Sequence, residues 1–223
     1  MKNTPINLFI IGDSQVGKTS ILNTINGVGF DENLTRTVGI DFCYIDFKLD
    51  NGTKIKLKIY DTSGQEQYHS LSMNVLRQSN GIILVFSKDS IDSFKNIKDI
   101  WMENLNQCIN LEDIPLILVE NKNDIEDSDI TEEDILKLVD EYKLDFIKVS
   151  AKNNENIDTM FKKLTMKILE KNNDKKNKDK KNKNKKNKDK ENTLPVESDD
   201  SKRNTIKITK ENNKIEKKKK HCC

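Results

Sequence analysis

Two rhythms of apolar residues run through the first 170 positions. Short apolar runs read as strands: Leu8 to Ile11, Phe42 to Leu49, Lys54 to Tyr60, Gly81 to Ser87, Pro115 to Val119 and Phe146 to Val149. Between them the spacing turns helical. Ser20 to Ile25 reads as a helix, and Ser90 to Cys108 carries Phe94, Ile97, Trp101 and Leu105 on one face, a core-packing stripe. Thr131-Glu132-Glu133-Asp134 gives a capping-box start to a helix ending at Tyr142. Ile157, Met160, Phe161, Leu164 and Ile168 stripe a last helix, 156–169. Asp50-Asn51-Gly52 is a hairpin turn joining the one evident antiparallel pair. Strands alternating with helices predict an α/β fold: a six-stranded, mostly parallel sheet with flanking helices.

The pattern changes near Lys171. Lysine and asparagine dominate, glycine disappears and apolar residues become sparse, so residues 171–223 are expected to form a disordered tail on a domain of residues 1–170. The net charge of +2 hides an asymmetry: the tail carries about +11 and the remainder about −9. For residues 171–192 a functional basic segment and a compositional bias without function both fit. The run Lys217-Lys218-Lys219-Lys220 just before the terminal Cys222-Cys223 points to an anionic membrane surface rather than to nucleic acid. Four cysteines, two of them terminal, give no disulfide framework, and Cys43 and Cys108 read as small core residues. No signal peptide or apolar run long enough to cross a membrane is evident, and Lys2 stands where N-myristoylation needs glycine.

The chemistry begins after the first strand. Gly12-Asp13-Ser14-Gln15-Val16-Gly17-Lys18-Thr19 fits G-x-x-x-x-G-K-[ST] between a strand and a helix. Glycines let the backbone curl so that successive N–H groups meet phosphate oxygens, and the helix N-terminus adds partial positive charge. Lys18 supplies a full charge for the outer phosphates and Thr19 a hydroxyl for Mg²⁺. Asp61-Thr62-Ser63-Gly64-Gln65-Glu66 follows a strand: Asp61 suits Mg²⁺, Gly64 offers an N–H to a terminal phosphate, and Gln65 can orient a water. Asn121-Lys122-Asn123-Asp124 follows another strand, and Asp124 can accept two N–H donors from a guanine edge. Ser150-Ala151-Lys152 is placed to close over the base.

These four boxes, in this order and spacing, resemble the small GTPases over roughly residues 4 to 170, so the fold implied is the P-loop small-GTPase domain. Within that superfamily the chain resembles the Rab family. Thr37-Val38-Gly39-Ile40-Asp41-Phe42 is similar to the Rab effector-region signature, residues 57–66 to the Rab second switch, and Cys-Cys to a common Rab ending. The resemblance implies a switch that hydrolyses GTP to GDP and phosphate and regulates vesicle trafficking by GTP-dependent effector recruitment. Ser14, Val16, Gly17, Lys18, Thr19 and Ser20 would hold the phosphates, and Phe30, Asn121, Lys122, Asp124, Ser150, Ala151 and Lys152 the base. Lys122 would cover the base face, and the Ala151 N–H would meet the guanine oxygen. Thr37 and Gly64 would reach the γ-phosphate only in the GTP state, Thr37 with Thr19 and Asp61 would serve Mg²⁺, and Gln65 and Lys18 would be catalytic.

Neither Arg36 nor Arg77 stands where the family places an arginine finger. Slow intrinsic hydrolysis is therefore implied, with a GTPase-activating protein and an exchange factor as partners. A dissociation inhibitor and a prenylation escort are implied as well, with Ile206-Lys207-Ile208 as a short escort-like motif. The monomer would be geranylgeranylated on Cys222 and Cys223, and would divide between the cytoplasmic face of endomembranes and a cytosolic pool. Departures from the family pattern fall beside the γ-phosphate, at Ser63, before the base box, at Glu120, and on the surface that partners read. Ser63 replaces a usual alanine, Tyr60 a tryptophan, and Val75-Leu76 a tyrosine pair, so that Phe42, Tyr60 and Val75 form an atypical aromatic surface. Glu120 stands where a small residue is usual and reads as a solvated strand-end charge. A GTP-holding scaffold with little hydrolysis and a Ras-like signalling switch are the alternatives.

Overall fold

The computed structural model describes residues 4–32, 34, 37, 40–62 and 76–191. The strands are β1 (Ile6–Ile11), β2 (Ile40–Lys48), β3 (Lys54–Thr62), β4 (Gly81–Ser87), β5 (Leu116–Asn121) and β6 (Asp145–Lys148). They form one sheet in the order β2-β3-β1-β4-β5-β6. β2 pairs antiparallel with β3 across the 50–52 turn, where Gly52 adopts φ 83°. All other pairings are parallel. The chain winds to one side of β1 before β4 and to the other side after it. The C-terminal end of β1 is therefore the switch point, where open α/β sheets bind ligands.

The helices are α1 (Lys18–Ile25), α2 (Ile91–Asn96), α3 (Glu103–Cys108), α4 (Glu132–Tyr142) and α5 (Ile157–Glu191). They cover both sheet faces, and β1 shows why both must be apolar. Leu8 and Ile10 join a core with Ile21 of α1 and Phe161 of α5, whereas Phe9 and Ile11 join another with Ile97, Leu105 and Leu138. Period-two alternation sends successive side chains to opposite faces, so a strand buried on both reads as a continuous apolar run. The Thr131 hydroxyl accepts the Asp134 N–H at 3.2 Å, capping α4 as its sequence predicts. Cys43 and Cys108 are half-buried and form no disulfide among the described residues.

Two elements differ from the sequence reading. The helix expected from Ser90 to Cys108 is interrupted: a π-helical turn, Ile97–Met102, separates α2 from α3. The last helix also runs well past residue 170. No glycine or proline interrupts it before Glu191, lysine is a good helix former, and Lys171 and Lys175 reach the Glu112 carbonyl and Asp113. A compact unit spans Met1–Asp179; of the second, Lys180–Cys223, the structure describes the helix to Glu191. The terminal cysteines, the Lys217–Lys220 run and Ile206-Lys207-Ile208 lie outside the described residues.

Candidate nucleotide-binding site

The phosphate loop leaves β1 at Gly12 (φ 141°), and a Cβ there would lie 2.1 Å from the Val85 carbonyl oxygen. Gly17 (φ 91°) begins α1, and a Cβ there would lie 2.3 Å from the Asn121 side-chain nitrogen. Both positions therefore need glycine for space as well as for conformation. Lys18 is buried, and its ammonium donates to the Gly12 and Asp13 carbonyls at 2.8 and 2.6 Å, which lays the stem along the loop.

A cleft of about 540 Å³ opens beside this loop. Its lining includes Ser14, Gly17, Lys18, Thr19, Ser20, Phe30, Thr37, Asn121, Lys122, Asp124, Ala151 and Lys152. Residues separated by up to 138 positions thus meet as expected. Val16 and Ser150 stand behind the wall, both buried. Gly64, Gln65, Ser63 and Val75 lie outside the described residues. Gln15, Asp31, Glu32, Leu34, Thr62 and Ile125 also line the cleft and were not predicted. Gln15 carried a signal, since it sits inside the glycine loop and takes φ 68°.

Behind Thr19 and Thr37 at one end stands Asp61, 4% exposed and outside the lining itself. Its Oδ2 accepts from the Thr19 hydroxyl at 2.6 Å and from the Thr37 hydroxyl at 3.4 Å, while Oδ1 is buried without a hydrogen-bond partner among the described residues. Burial pushes this carboxyl up, against the hydrogen bond from Thr19 and the charge of Lys18. Two hydroxyls and a carboxylate are hard oxygen donors suited to Mg²⁺, and the Lys18 ammonium close by suits a phosphate. The residues present therefore fit a nucleotide phosphate with its metal.

At the other end Asn121 joins three loops. Its Nδ2 donates to the Val16 carbonyl at 2.8 Å, and its Oδ1 accepts the Ala151 N–H at 3.2 Å. The Ala151 N–H assigned from sequence to a guanine oxygen thus already has a protein acceptor. Ser150 donates to Asp124 Oδ1 at 2.5 Å, leaving Oδ2 without a partner among the described residues. Lys122 (φ 63°) pairs with Asp89 at 3.0 Å, and Lys152 reaches Glu32 at 3.6 Å.

Comparison with known proteins settles the relationship. The Ras family model matches residues 7–170. Rab-10 of Diplobatis ommata is 38% identical over 169 residues, 74% of this chain and 81% of the relative. Rab-18 of Lymnaea stagnalis is 34% identical over 167 residues, 75% and 82% of the two chains. Rab-18-B of Danio rerio is 33% identical over 167 residues, 75% and 80%. The chain belongs to the Rab branch of the Ras family. It is a GTPase that binds GTP or GDP with Mg²⁺, a switch in vesicle trafficking that works through regulators and effectors at endomembranes.

Two features set this Rab chain's surface and core apart. Phe42 and Tyr44 are half exposed on β2, Tyr60 lies 6.0 Å from Phe42, and the Lys58 ammonium sits 4.0 Å above the Phe42 ring. The expected aromatic surface therefore carries a lysine, a cation–π arrangement. Glu120, expected in solvent, is 2% exposed at the end of β5, in register between Phe86 of β4 and Lys148 of β6. Its Oε2 has no hydrogen-bond partner among the described residues and lies 4.0 Å from the Lys148 ammonium. Burial pushes its carboxyl up, and the charges of Lys148 and Lys88 only partly oppose that.

Proposed function

We propose that this cleft is where the Rab switch binds and hydrolyses GTP, with each side chain in the role its position supports. Lys18, the loop N–H groups and the N-terminus of α1 stabilise the charge that develops on the outer phosphates. Thr19, Thr37 and Asp61 hold the metal, which when bound supplies charge neutralisation at the reacting phosphate. Asp124, steadied by Ser150, accepts the guanine edge. Asn121 keeps the base loop against the phosphate loop, and Phe30, Lys122, Ala151 and Lys152 border the base. Gln65 orients the attacking water, and Gly64 with Thr37 reports the γ-phosphate to the effector surface around Phe42 and Tyr60.

The finer assignments follow the same reading. Residues 1–170 form the GTPase domain. Residues 171–223 form a tether prenylated on Cys222 and Cys223 and drawn to anionic membranes by its lysines. The protein is a monomer handled by an exchange factor, a GTPase-activating protein, a dissociation inhibitor and a prenylation escort, with a cytosolic pool beside a lipid-anchored one on the cytoplasmic face of endomembranes.

The observation that carries the reading is Asp61, a buried carboxylate with one oxygen unpartnered among the described residues and the other held by two hydroxyls that line the cleft. Phosphate release from bound GTP in a single turnover tests it. Slow release that falls a further roughly tenfold in Gln65→Leu is expected, since misplacing the water costs at least that. Tight binding with no release in the native chain would replace the enzyme by a GTP-holding scaffold.

A further inference from the structure

Asp13 is the second residue of the phosphate loop, yet it does not line the cleft. Its carboxylate is held from behind. The Trp101 indole N–H donates to Oδ1 at 2.7 Å, and the Asn96 side-chain nitrogen donates to Oδ2 at 2.6 Å. On its other side the Asp13 carbonyl accepts the Lys18 ammonium at 2.6 Å. A chain of hydrogen bonds thus runs from Asn96 and Trp101 through one residue to the lysine of the cleft.

The backbone explains how both donors reach one carboxylate. Asn96 and Trp101 are five residues apart, and in an α-helix, at about 100° per residue, they would face directions roughly 140° apart. The intervening turn, Ile97–Met102, is π-helical, with i→i+5 closure, so residues five apart return to one face. Such turns cost stability and recur at functional sites.

We propose that Asn96 and Trp101 are positioning residues for the nucleotide, holding Asp13 so that the loop and Lys18 keep their bound geometry although neither residue borders the cleft. The inference rests on the cleft being the nucleotide site. It makes the π turn the part of the second helical layer on which nucleotide retention depends.

Release of fluorescently labelled GDP from the full chain with Mg²⁺ tests this, alongside thermal unfolding of each variant. Trp101→Phe keeps the ring and removes the donor. Asn96→Asp sets two carboxylates against each other. Each is expected to speed release by about tenfold, the value of one hydrogen bond to a charged group. The decisive variant is the exchange Asp13→Asn with Asn96→Asp, which restores a donor–acceptor pair in reverse and keeps an acceptor for Trp101. It is expected to release GDP several-fold more slowly than Asn96→Asp alone. A merely structural role would not produce that rescue. Single variants that release GDP as slowly as the native chain, or an exchange no better than Asn96→Asp, would overturn the proposal. A native chain that binds no labelled GDP would instead bring down the reading of the cleft, and this inference with it.

Discussion

Asp61 and Glu120 make an instructive pair. Both sit near the C-terminal ends of strands, both are almost fully buried, and each has one carboxylate oxygen without a hydrogen-bond partner among the described residues. Burial pushes both carboxyls up. The difference lies in their company. Asp61 has two threonine hydroxyls that line the cleft and the loop lysine nearby; Glu120 has the Lys148 ammonium 4.0 Å away, with the charge of Lys88 acting on it, and accepts from no hydroxyl among the described residues. An orphaned buried carboxylate is therefore informative about a cation only when neutral oxygen donors converge beside it. Glu120 is a charge enclosed by the sheet at a net cost.

That contrast can be broken most directly at Asp61. Asp61→Ala is expected to weaken GTP binding in Mg²⁺ by roughly 100-fold, the upper range for loss of a metal-orienting group, with little difference in chelator. Equal losses with and without Mg²⁺ would make Asp61 no different in kind from Glu120. At Glu120 the sign reverses. Glu120→Gln removes a buried charge and is expected to stabilise the fold by about 1 kcal/mol at neutral pH in urea unfolding. The pH dependence follows from the direction of the shift. Folded Glu120 keeps its proton to a higher pH than unfolded Glu120, so its effect is most favourable at low pH. That contribution to stability falls as pH rises from about 4.3 through the raised folded value. In Glu120→Gln this part of the profile should flatten; an unchanged profile would mean that Glu120 does not carry it. The smallest effect concerns Lys148, which is partly exposed and also reaches Glu132 at 3.3 Å. Lys148→Ala is expected to cost roughly 0.5 kcal/mol, and less in a Glu120→Gln background. Equal costs in the two backgrounds would show that Lys148 does not respond to Glu120.

The six strands and the glycine loop were legible because their signals are local: period-two runs, breakers and a fixed motif spacing. The cleft was legible because each contributing box follows a strand of a parallel sheet, which delivers the boxes to one edge. What escaped was set by distant partners. The hydrogen bonds from Asn96 and Trp101 to Asp13 cross 83 and 88 positions of sequence, and nothing in the apolar stripe marks Trp101 as a donor or Ile97–Met102 as a π turn. Glu120 reads as a polar strand end, and its 2% exposure is set by tertiary neighbours that the local sequence does not name. The extension of α5 to Glu191 escaped because sparse apolar residues argue against packing, whereas lysine-rich sequence without glycine or proline still permits a helix.

Asn121 holds the carbonyl of Val16 with one side-chain atom and the N–H of Ala151 with another. In the proposed reading, the loop for the base and the loop for the phosphates are thus tied through one side chain, with the span between them set by the protein. A ligand is measured for length as well as for identity. Guanosine alone or a polyphosphate alone, each meeting only one jaw, should gain far less than its share of the affinity of the whole nucleotide.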